Sequence, residues 1–166
     1  MKNLRIITSN TPDGDFHMVV DGDDVVRASG YGSTGDLIKR YDSLLDVTTV
    51  THTDNHPYLD DVSAYYNGDT TALDKIPRLQ DGTEFQKRVW QAMSDIPYGH
   101  TLSYKQLAEA SGNPAAIRAA GTICGLNRLI LLVPCHRILK SNGSIGNYLY
   151  GQAIKESLLR HEGAIN

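Results

Sequence analysis

The sequence predicts an α+β fold in two parts: a small N-terminal α/β domain over residues 1–80 and a helical C-terminal domain over residues 81–166. Short strand-like runs dominate the first half of the chain, and helical periodicity dominates the second half. The charge also changes sign. Residues 1–81 hold 7 Lys and Arg against 14 Asp and Glu, a net charge of −7, whereas residues 82–166 hold 9 against 5, a net charge of +4. Only the second half therefore has the charge to face a polyanion.

Turn residues divide the first half into short apolar or alternating runs. Pro-Asp-Gly at residues 12–14 and Asp-Gly-Asp at residues 21–23 are typical turn sequences between hairpin strands. Pro57 suits the first position of a helix, and Asn67-Gly68 suits its end. We expect strands at residues 4–8, 17–20, 24–28, 47–51 and 73–76, and helices at residues 36–45 and 57–66.

An amphipathic helix opens the second half. Thr83 is a good N-cap, and the apolar residues Phe85, Val89 and Met93 follow at the i, i+4, i+8 spacing of one helix face. Pro97 comes soon after the last of them, so we expect the helix to end before that residue.

Two short helices follow, separated by a tight turn. Ser103 begins a helix over residues 104–110, the residues Ser-Gly-Asn at 111–113 form a turn, and Pro114 begins a second helix that runs to about residue 124. This pattern is typical of a helix-turn-helix, although short helical hairpins also occur in proteins that do not bind DNA. The second helix is rich in alanine and carries one prominent cation, Arg118. A slim helix of this kind can approach a DNA groove closely.

The rest of the chain predicts a strand, a wing and a last helix. Residues 129–133 are a run of Leu, Ile and Val that we interpret as a buried strand. Ser-Asn-Gly-Ser at residues 141–144 favours the turn of a wing-like hairpin. The last helix is expected at residues 152–162.

A thiol lies beside an imidazole at the end of the expected strand, in the motif Pro134-Cys135-His136-Arg137. Cysteine attacks as a thiolate, and an adjacent His or another positive group lowers its pKa toward the physiological range. Taken alone, the pair is also compatible with a small buried core residue next to a surface His.

Cysteine usage and hydropathy limit the class of protein. Cys124 and Cys135 are the only cysteines, so a disulfide framework or a cysteine-based zinc site is not expected, and neither is any metal or cofactor. Reduced thiols fit the cytoplasm. No apolar run has the length of a membrane span, and the N-terminus lacks the apolar run of a signal peptide. We therefore expect a cytoplasmic protein with no membrane partner.

Residues 83–163 resemble the O6-alkylguanine-DNA alkyltransferases in several spaced motifs. These are TEFQKRVWQAMSDIPYGHTLSYKQLAEASGNPAAIRAAG, Asn127 eight residues before Cys135, PCHRI, GNY and KESLLRHEG. Residues 1–80 fit the family's N-terminal domain in size and strand-helix pattern only. The resemblance implies an RNase H-like first domain, followed by a helix-turn-helix domain with a wing.

The resemblance also implies a reaction. The family flips a damaged guanine out of double-stranded DNA and moves the alkyl group from its O6 atom to the motif cysteine, here Cys135. O4-alkylthymine is the second substrate it implies. Chemistry on a base edge requires flipping because the stacked duplex hides the atom. The product is a thioether, so each molecule acts once. We expect a monomer, and the sequence leaves open whether copies cluster on DNA.

Family roles transfer to matching positions of this sequence. His136 would act as the base through a bridging water, Glu162 would polarise that imidazole, and Asn127 would brace the active-site turn. The DNA-binding and substrate-binding set implied by the resemblance is Ser103, Tyr104, Arg118, Ile138, Tyr148 and Leu149. Within it, Tyr104 would help to rotate the nucleotide and would donate toward the guanine. Arg118 would fill the space left by the flipped base, and Tyr148 would form a wall of the alkyl pocket. The helix-turn-helix would enter the minor groove, which suits scanning of any sequence.

Several residues depart from the family pattern. Arg128 follows Asn127 where proline is usual, and the bulky pair Leu149 and Tyr150 follows Tyr148 where small residues are usual. We expect Tyr150 to narrow the alkyl pocket. Cys124, in the second helix of the expected pair, is interpreted as a packed and unreactive thiol.

Three other functions remain as alternatives. A module that binds lesions without transferring the alkyl group would have no use for Cys135. A transcription regulator built on the helix-turn-helix would explain neither the PCHR motif nor Glu162. A Cys-His hydrolase would need an oxyanion hole, which the sequence does not reveal.

Overall fold

The computed structural model describes residues 3–45 and 47–166, with nothing said of the Val47 side chain. The chain divides into two compact units. The first comprises the residues up to Gln80 together with Arg128–Leu132, and the second comprises Asp81–Asn127 and Val133–Asn166. The mixed helix and strand content agrees with the predicted α+β class. No helix formed by the described residues is long and apolar enough to cross a membrane.

The first unit contains a four-stranded mixed sheet in the order β3-β2-β1-β4. Strands β1 and β2 form an antiparallel hairpin in which Thr11 pairs with Gly14, β2 and β3 are also antiparallel, and β1 and β4 are parallel. The bounds are Arg5–Thr11 for β1, Gly14–Val20 for β2, Val26–Gly30 for β3 and Thr51–Thr53 for β4. The strands predicted near residues 4–8, 17–20 and 24–28 are therefore confirmed.

Two helices accompany this sheet. Helix α1 covers Thr34–Tyr41, and Ser33 caps it by accepting a hydrogen bond from the backbone of Asp36. Helix α2 covers Pro57–Tyr66, as predicted. One apolar core of the unit comprises Leu4, Ile6, Val19, Ala28, Leu37, Ile38 and Val50.

Two expected strands of the first unit are wrong in whole or in part. Residues 47–51 form a 3₁₀ turn, Val47–Thr49, before the short strand β4. Residues 73–76 form no strand, because Ala72–Lys75 is a 3₁₀ helix with i→i+3 hydrogen bonds, such as the one from the Ile76 N–H to the Leu73 carbonyl. The Arg78 guanidinium also donates to the Leu73 carbonyl, so a side chain occupies an acceptor that a sheet partner would otherwise take.

The apolar run at residues 129–133 is buried but is not the expected strand. Only Leu129 makes a single bridge, to Ser29. The Ser29 side chain donates to the Ile130 carbonyl at 2.6 Å, and the Arg78 guanidinium donates to the Leu132 carbonyl. Leu131 has φ of 71°, a left-handed conformation that interrupts a strand. Side chains of the first unit thus donate to carbonyls of this segment, and residues 129–132 belong to that unit.

The second unit is mainly helical. Helix α3, Glu84–Ser94, begins with the predicted cap at Thr83, in a capping box with Gln86. Strand β5, Leu102–Ser103, runs directly into α4, Tyr104–Ala110. The remaining elements are α5 at Ile117–Gly125, β6 at Ile138–Leu139, which pairs in parallel with β5, and α6 at Gln152–His161.

The turn between α4 and α5 is longer than predicted. Gly112 has φ of 87° and its N–H donates to the Glu109 carbonyl, which ends α4 in the way that glycine permits. The Ala116 N–H then donates to the Asn113 carbonyl at 3.0 Å, so a second turn holds Pro114. Because of this turn, α5 begins at Ile117, and the predicted start at Pro114 is wrong.

The segment after β6 contains the expected turn but not a complete hairpin. The Gly143 N–H donates to the Lys140 carbonyl at 2.9 Å, and the Lys140 N–H donates to the Ser144 carbonyl at 3.0 Å. Residues 140–151, all of them described, contain no strand. The last helix ends with Glu162 as its C-cap, close to the predicted end.

Candidate functional site

Cys135 lies in a 3₁₀ turn, Cys135–Arg137, that leads directly into β6. Its N–H donates to the Val133 carbonyl at 2.8 Å, and the Asn127 side chain donates to the same carbonyl at 2.9 Å. Cys135 and Asn127 are both buried. The predicted brace residue therefore holds the chain two residues before the thiol.

His136 and Glu162 form a buried pair. The distance from Nε2 of His136 to Oε2 of Glu162 is 2.8 Å, and both side chains are inaccessible to solvent. Burial raises the pKa of Glu162, but the hydrogen bonds from His136 and Arg137 and the positive charge of Arg137 outweigh it and hold that pKa far below its usual range. Burial lowers the pKa of His136, against the opposite effect of Glu162. Glu162 is therefore a carboxylate beside a neutral imidazole.

This charge state assigns the tautomer of His136. The carboxylate only accepts, so Nε2 carries the hydrogen and donates, and Nδ1 keeps its lone pair. Nδ1 is buried, and no group of residues 3–45 and 47–166 makes a hydrogen bond to it. The ring thus presents a proton acceptor next to Cys135 in the chain.

Arg137 belongs to the same cluster, although the sequence reasoning gave it no role. Its Nε donates to Oε1 of Glu162 at 2.7 Å and its Nη2 donates to Oε2 at 3.0 Å, while Nη1 donates to the Ile96 carbonyl at 2.8 Å. The guanidinium also stacks over the Tyr98 ring at 5.8 Å. Its place inside PCHR, next to a residue paired with a carboxylate, was the available signal.

Lys155 is a second residue that the sequence reasoning missed. Its side chain is buried, and Nζ donates to the Ile138 carbonyl at 2.6 Å and to the Asn147 carbonyl at 3.2 Å. Burial lowers the pKa of Lys155. A lysine on the apolar face of the last helix was the signal. Through these bonds, α6 holds both β6 and the segment that leads to Tyr148.

Cys124 is buried beside the candidate site. Its Sγ donates weakly to the Cys135 carbonyl at 4.0 Å. The hydrogen bond with the Cys135 side chain, followed by burial, raises the pKa of the Cys124 thiol far above its ordinary value. Cys124 therefore stays protonated, which fits its interpretation as a packed thiol.

An open cleft of about 720 Å³ lies between α4, α5 and the segment after β6. Its lining includes Tyr104, Arg118, Thr122, Lys140 and Asn147. Burial raises the pKa of the Tyr104 phenol, and the two thiols raise it further, so this hydroxyl keeps its proton. A Cβ atom at Gly121 would lie 3.4 Å from Cδ1 of Tyr104, so glycine lets that ring lie close against α5.

The other predicted site residues are less closely grouped. Ser103 caps α4 by accepting from the Gln106 N–H at 3.1 Å, and Arg118 is exposed on α5. Tyr148 is half-buried, with its ring centroid 6.3 Å from that of Tyr150. Leu149 is 54% exposed.

The structure thus brings together Cys135, His136, Glu162 and Asn127 in one buried cluster. The cleft beside it contains Tyr104 and Arg118. Ile138 is buried, and its carbonyl accepts from Lys155.

Known proteins are similar to this chain mainly over its second half, which contains the site. The family model described as "6-O-methylguanine DNA methyltransferase, DNA binding domain" matches residues 84–164. A methylated-DNA--protein-cysteine methyltransferase of Shigella flexneri is 42% identical over 104 residues, which cover 63% of this chain and 61% of the relative. One of Methanosarcina acetivorans is 43% identical over 103 residues, covering 62% and 65%. The chain therefore spans less than two thirds of the length of these relatives.

Solved structures extend the likeness to the whole chain. The Mycobacterium tuberculosis OGT in complex with DNA superposes with a TM-score of 0.78 at 28% identity, covering 96% of this chain and 93% of that one. The O6-methylguanine-DNA methyltransferase of Pyrococcus kodakaraensis, at 23% identity and a TM-score of 0.71, shares the fold.

The chain thus combines a unit built on a mixed sheet with a mainly helical unit that carries buried Cys135, His136 and Glu162. Residues 84–164 are similar to the DNA-binding domain of the 6-O-methylguanine DNA methyltransferases, and the relatives that this chain resembles are methylated-DNA--protein-cysteine methyltransferases. The resemblance inferred from the motifs is confirmed.

Proposed function

We propose that this protein repairs DNA by moving the alkyl group from the O6 atom of guanine to Sγ of Cys135, once per molecule. The observation that carries the proposal is the buried hydrogen bond between His136 and Glu162, one residue after Cys135. It leaves Nδ1 of a neutral imidazole as a proton acceptor beside a thiol. The names of the relatives, methylated-DNA--protein-cysteine methyltransferases, support the same reaction.

The chemistry requires a base, a nucleophile and a proton donor. Nδ1 of His136 takes the Cys135 proton through a bridging water, and the thiolate attacks the alkyl carbon. The bond from that carbon to O6 breaks, and its electron pair stays with guanine. The guanine takes up one proton, which balances the proton released by Cys135. The product is a thioether that water does not cleave, so the protein is consumed.

The cleft would receive the flipped base. Tyr104 retains its proton, so its hydroxyl can donate to the guanine as negative charge develops there. Arg118 is exposed on α5 and would enter the space that the base leaves in the stack. Helices α4 and α5 would act as a helix-turn-helix in the minor groove, where scanning does not depend on sequence.

The remaining residues would form the walls of the site. Asn127 would brace the active-site turn through the Val133 carbonyl. Backbone groups of Cys135, Ile138 and Leu149 would read the guanine edge, and Tyr148 would face the alkyl group. Ser103, as the cap of α4, would fix the start of that helix and with it Tyr104.

The overall organisation follows from these roles. Residues 81–166 would bind DNA and transfer the alkyl group, and the turn after β6 would serve as a wing. Residues 1–80 would form an RNase H-like domain. The partner is double-stranded DNA that contains alkylated guanine, with O4-alkylthymine as a second substrate, and the working form is a monomer.

Intact-mass measurement tests the proposal directly. The protein is incubated with duplex DNA that carries one O6-methylguanine, and we expect a gain of one methyl group, mapped to Cys135. Cys135→Ser should gain nothing. Cys124→Ser is the matched control, because it removes the other thiol, and it should still be methylated. DNA binding by the wild type without any mass gain would favour the lesion-binding alternative instead.

A further inference from the structure

The Glu162 carboxylate is shared between two cationic or polar neighbours. Both of its oxygens accept from the Arg137 guanidinium, at 2.7 and 3.0 Å, and Oε2 also accepts from His136 at 2.8 Å. The remaining guanidinium nitrogen of Arg137, Nη1, donates to the Ile96 carbonyl. The guanidinium therefore has one defined position, fixed from both sides.

This arrangement has consequences for the proton on His136. A buried carboxylate that faces only an imidazole attracts a proton to that ring, and the two groups then titrate as a pair. A guanidinium remains charged, so it neutralises the carboxylate at any physiological pH. It also repels a second positive charge on the neighbouring ring.

We infer that Arg137 is a positioning residue that holds Glu162 as an oriented carboxylate and thereby keeps His136 neutral, with Nδ1 free to accept a proton. The hydrogen bond from His136 still orients the ring, but the charge that would pull a proton onto it is balanced by Arg137. The role of the neutral ring as a base rests on the proposed function. The effect of Arg137 on the protonation of His136 does not.

The other charged groups around the pair act in known directions. Lys155, on α6, disfavours a positive His136, as does Arg137 itself, while Glu162 favours it. Tyr98 stacks on Arg137, and burial raises the pKa of its phenol, so it stays neutral. Arg137 is therefore the one of these groups that contacts the carboxylate directly and can be neutralised without removing the His136–Glu162 bond.

Removal of the Arg137 charge should change the pKa of His136 in a definite direction. The folded-state pKa of His136 lies below its ordinary value, so the ring is neutral in neutral solution. Removing the Arg137 charge removes repulsion from the ring and leaves the carboxylate charge to His136 alone. The pKa of His136 should therefore rise, and the ring should become protonated at a higher pH.

The first test measures the ring and needs no DNA. Nitrogen chemical shifts of His136 are followed by NMR as pH is lowered, in the wild type, Arg137→Gln and Arg137→Lys. Gln keeps donors for Glu162 but loses the charge, and we expect its His136 midpoint to rise by about one pH unit. Lys keeps the charge, and its midpoint should stay near that of the wild type.

Arg88→Gln is the matched control. Arg88 also donates to a backbone carbonyl, that of Ser111, and stacks over an aromatic ring, that of Phe85, yet within residues 3–45 and 47–166 it pairs with no carboxylate. Its His136 midpoint should equal that of the wild type. An unchanged midpoint in Arg137→Gln would overturn the inference. Finding His136 protonated in the wild type at neutral pH would also overturn it, and that measurement does not depend on the folding of any variant.

The second test measures methyl transfer in a single turnover across a pH series. In Arg137→Gln the loss of rate on the acid side should begin at a higher pH than in the wild type, and alkaline solution should restore most of the rate. A merely structural role would lower the rate equally at every pH. If the wild type transfers no methyl group at all, the proposed function fails, whereas the NMR result still decides the role of Arg137.

Discussion

The amide of Asn127 donates a hydrogen bond of 2.9 Å to the carbonyl of Val133, although the five residues between them pack with the other compact unit. The same carbonyl accepts from the N–H of Cys135 at 2.8 Å. The Val133 carbonyl oxygen thus accepts both from the Asn127 side chain and from the backbone of the turn that contains Cys135. The position of Cys135 therefore depends on a side chain eight residues earlier.

Asn127→Ala should destabilise the protein and slow methyl transfer. The amide it removes is buried, and the Val133 carbonyl would lose one of its two donors, which costs about 1–3 kcal/mol. Urea unfolding gives the stability change, and single-turnover mass measurement gives the rate. Asn142→Ala is the control, because its side chain bonds to Ser144 within an exposed turn. A variant as stable as this control would contradict the brace.

Cys124 should resist alkylating reagents under conditions that label Cys135. The raised pKa of Cys124 keeps it as a thiol, and a thiol attacks far more slowly than a thiolate. We expect peptide mapping after brief iodoacetamide treatment to find label on Cys135 first. A protein already methylated by damaged DNA should then take up almost none. Label on Cys124 ahead of Cys135 would show that the two thiols have been assigned in the wrong order.

Arg118→Ala should impair repair of duplex DNA by about tenfold or more, with little effect on the free O6-methylguanine base. The side chain is exposed and would fill the vacated position in the stack, where losses amount to a few kcal/mol. Free base needs no such filling. Arg160→Ala is a suitable control because that exposed arginine pairs with Glu156 on α6. Equal losses on both substrates would remove the role proposed for Arg118.

Tyr150 should limit the size of the alkyl group that is accepted. Its ring lies edge-on to that of Tyr148, with centroids 6.3 Å apart, and it takes up space beside the residue proposed to face the alkyl group. We expect Tyr150→Gly to raise the transfer rate from O6-benzylguanine about tenfold or more, with little change for methyl. Tyr150→Phe keeps the ring and should behave as the wild type. A wild-type protein that reacts equally fast with benzyl and methyl substrates would show that this ring lies outside the pocket.

Local signals in the sequence were sufficient for several elements. The helix at Pro57–Tyr66 and the helix at Tyr104–Ala110 have the predicted bounds. Each has a cap residue beside it, His56 or Ser103, whose side chain bonds the first turn. Capping and turn formation involve residues three or four positions apart, so a short stretch of sequence contains all the groups that take part.

Other features depended on partners far away in the chain. The run at residues 129–133 has the composition of a strand, but Ser29 and Arg78 bind its carbonyls and it turns instead. The second turn before α5 is local instead, because the Ala116 N–H donates to the Asn113 carbonyl, and it forms against the preference of Pro114 for a helix start. Composition shows that a segment will be buried, but the groups that satisfy its backbone decide its conformation.

The residues of the candidate site likewise fall into those that the sequence reveals and those that only the structure reveals. Cys135, His136, Asn127 and Glu162 could be selected from the sequence, because a thiol next to an imidazole and motifs in a fixed order are visible in one dimension. The roles of Arg137 and Lys155 could not, since each depends on an acceptor that is brought near only by folding: Glu162 lies 25 residues from Arg137, and the Ile138 carbonyl lies 17 residues from Lys155. The sequence therefore reveals the residue types that could carry out the proposed alkyl transfer. Their charge states arise from burial and from long-range hydrogen bonds, which exist only in the tertiary structure.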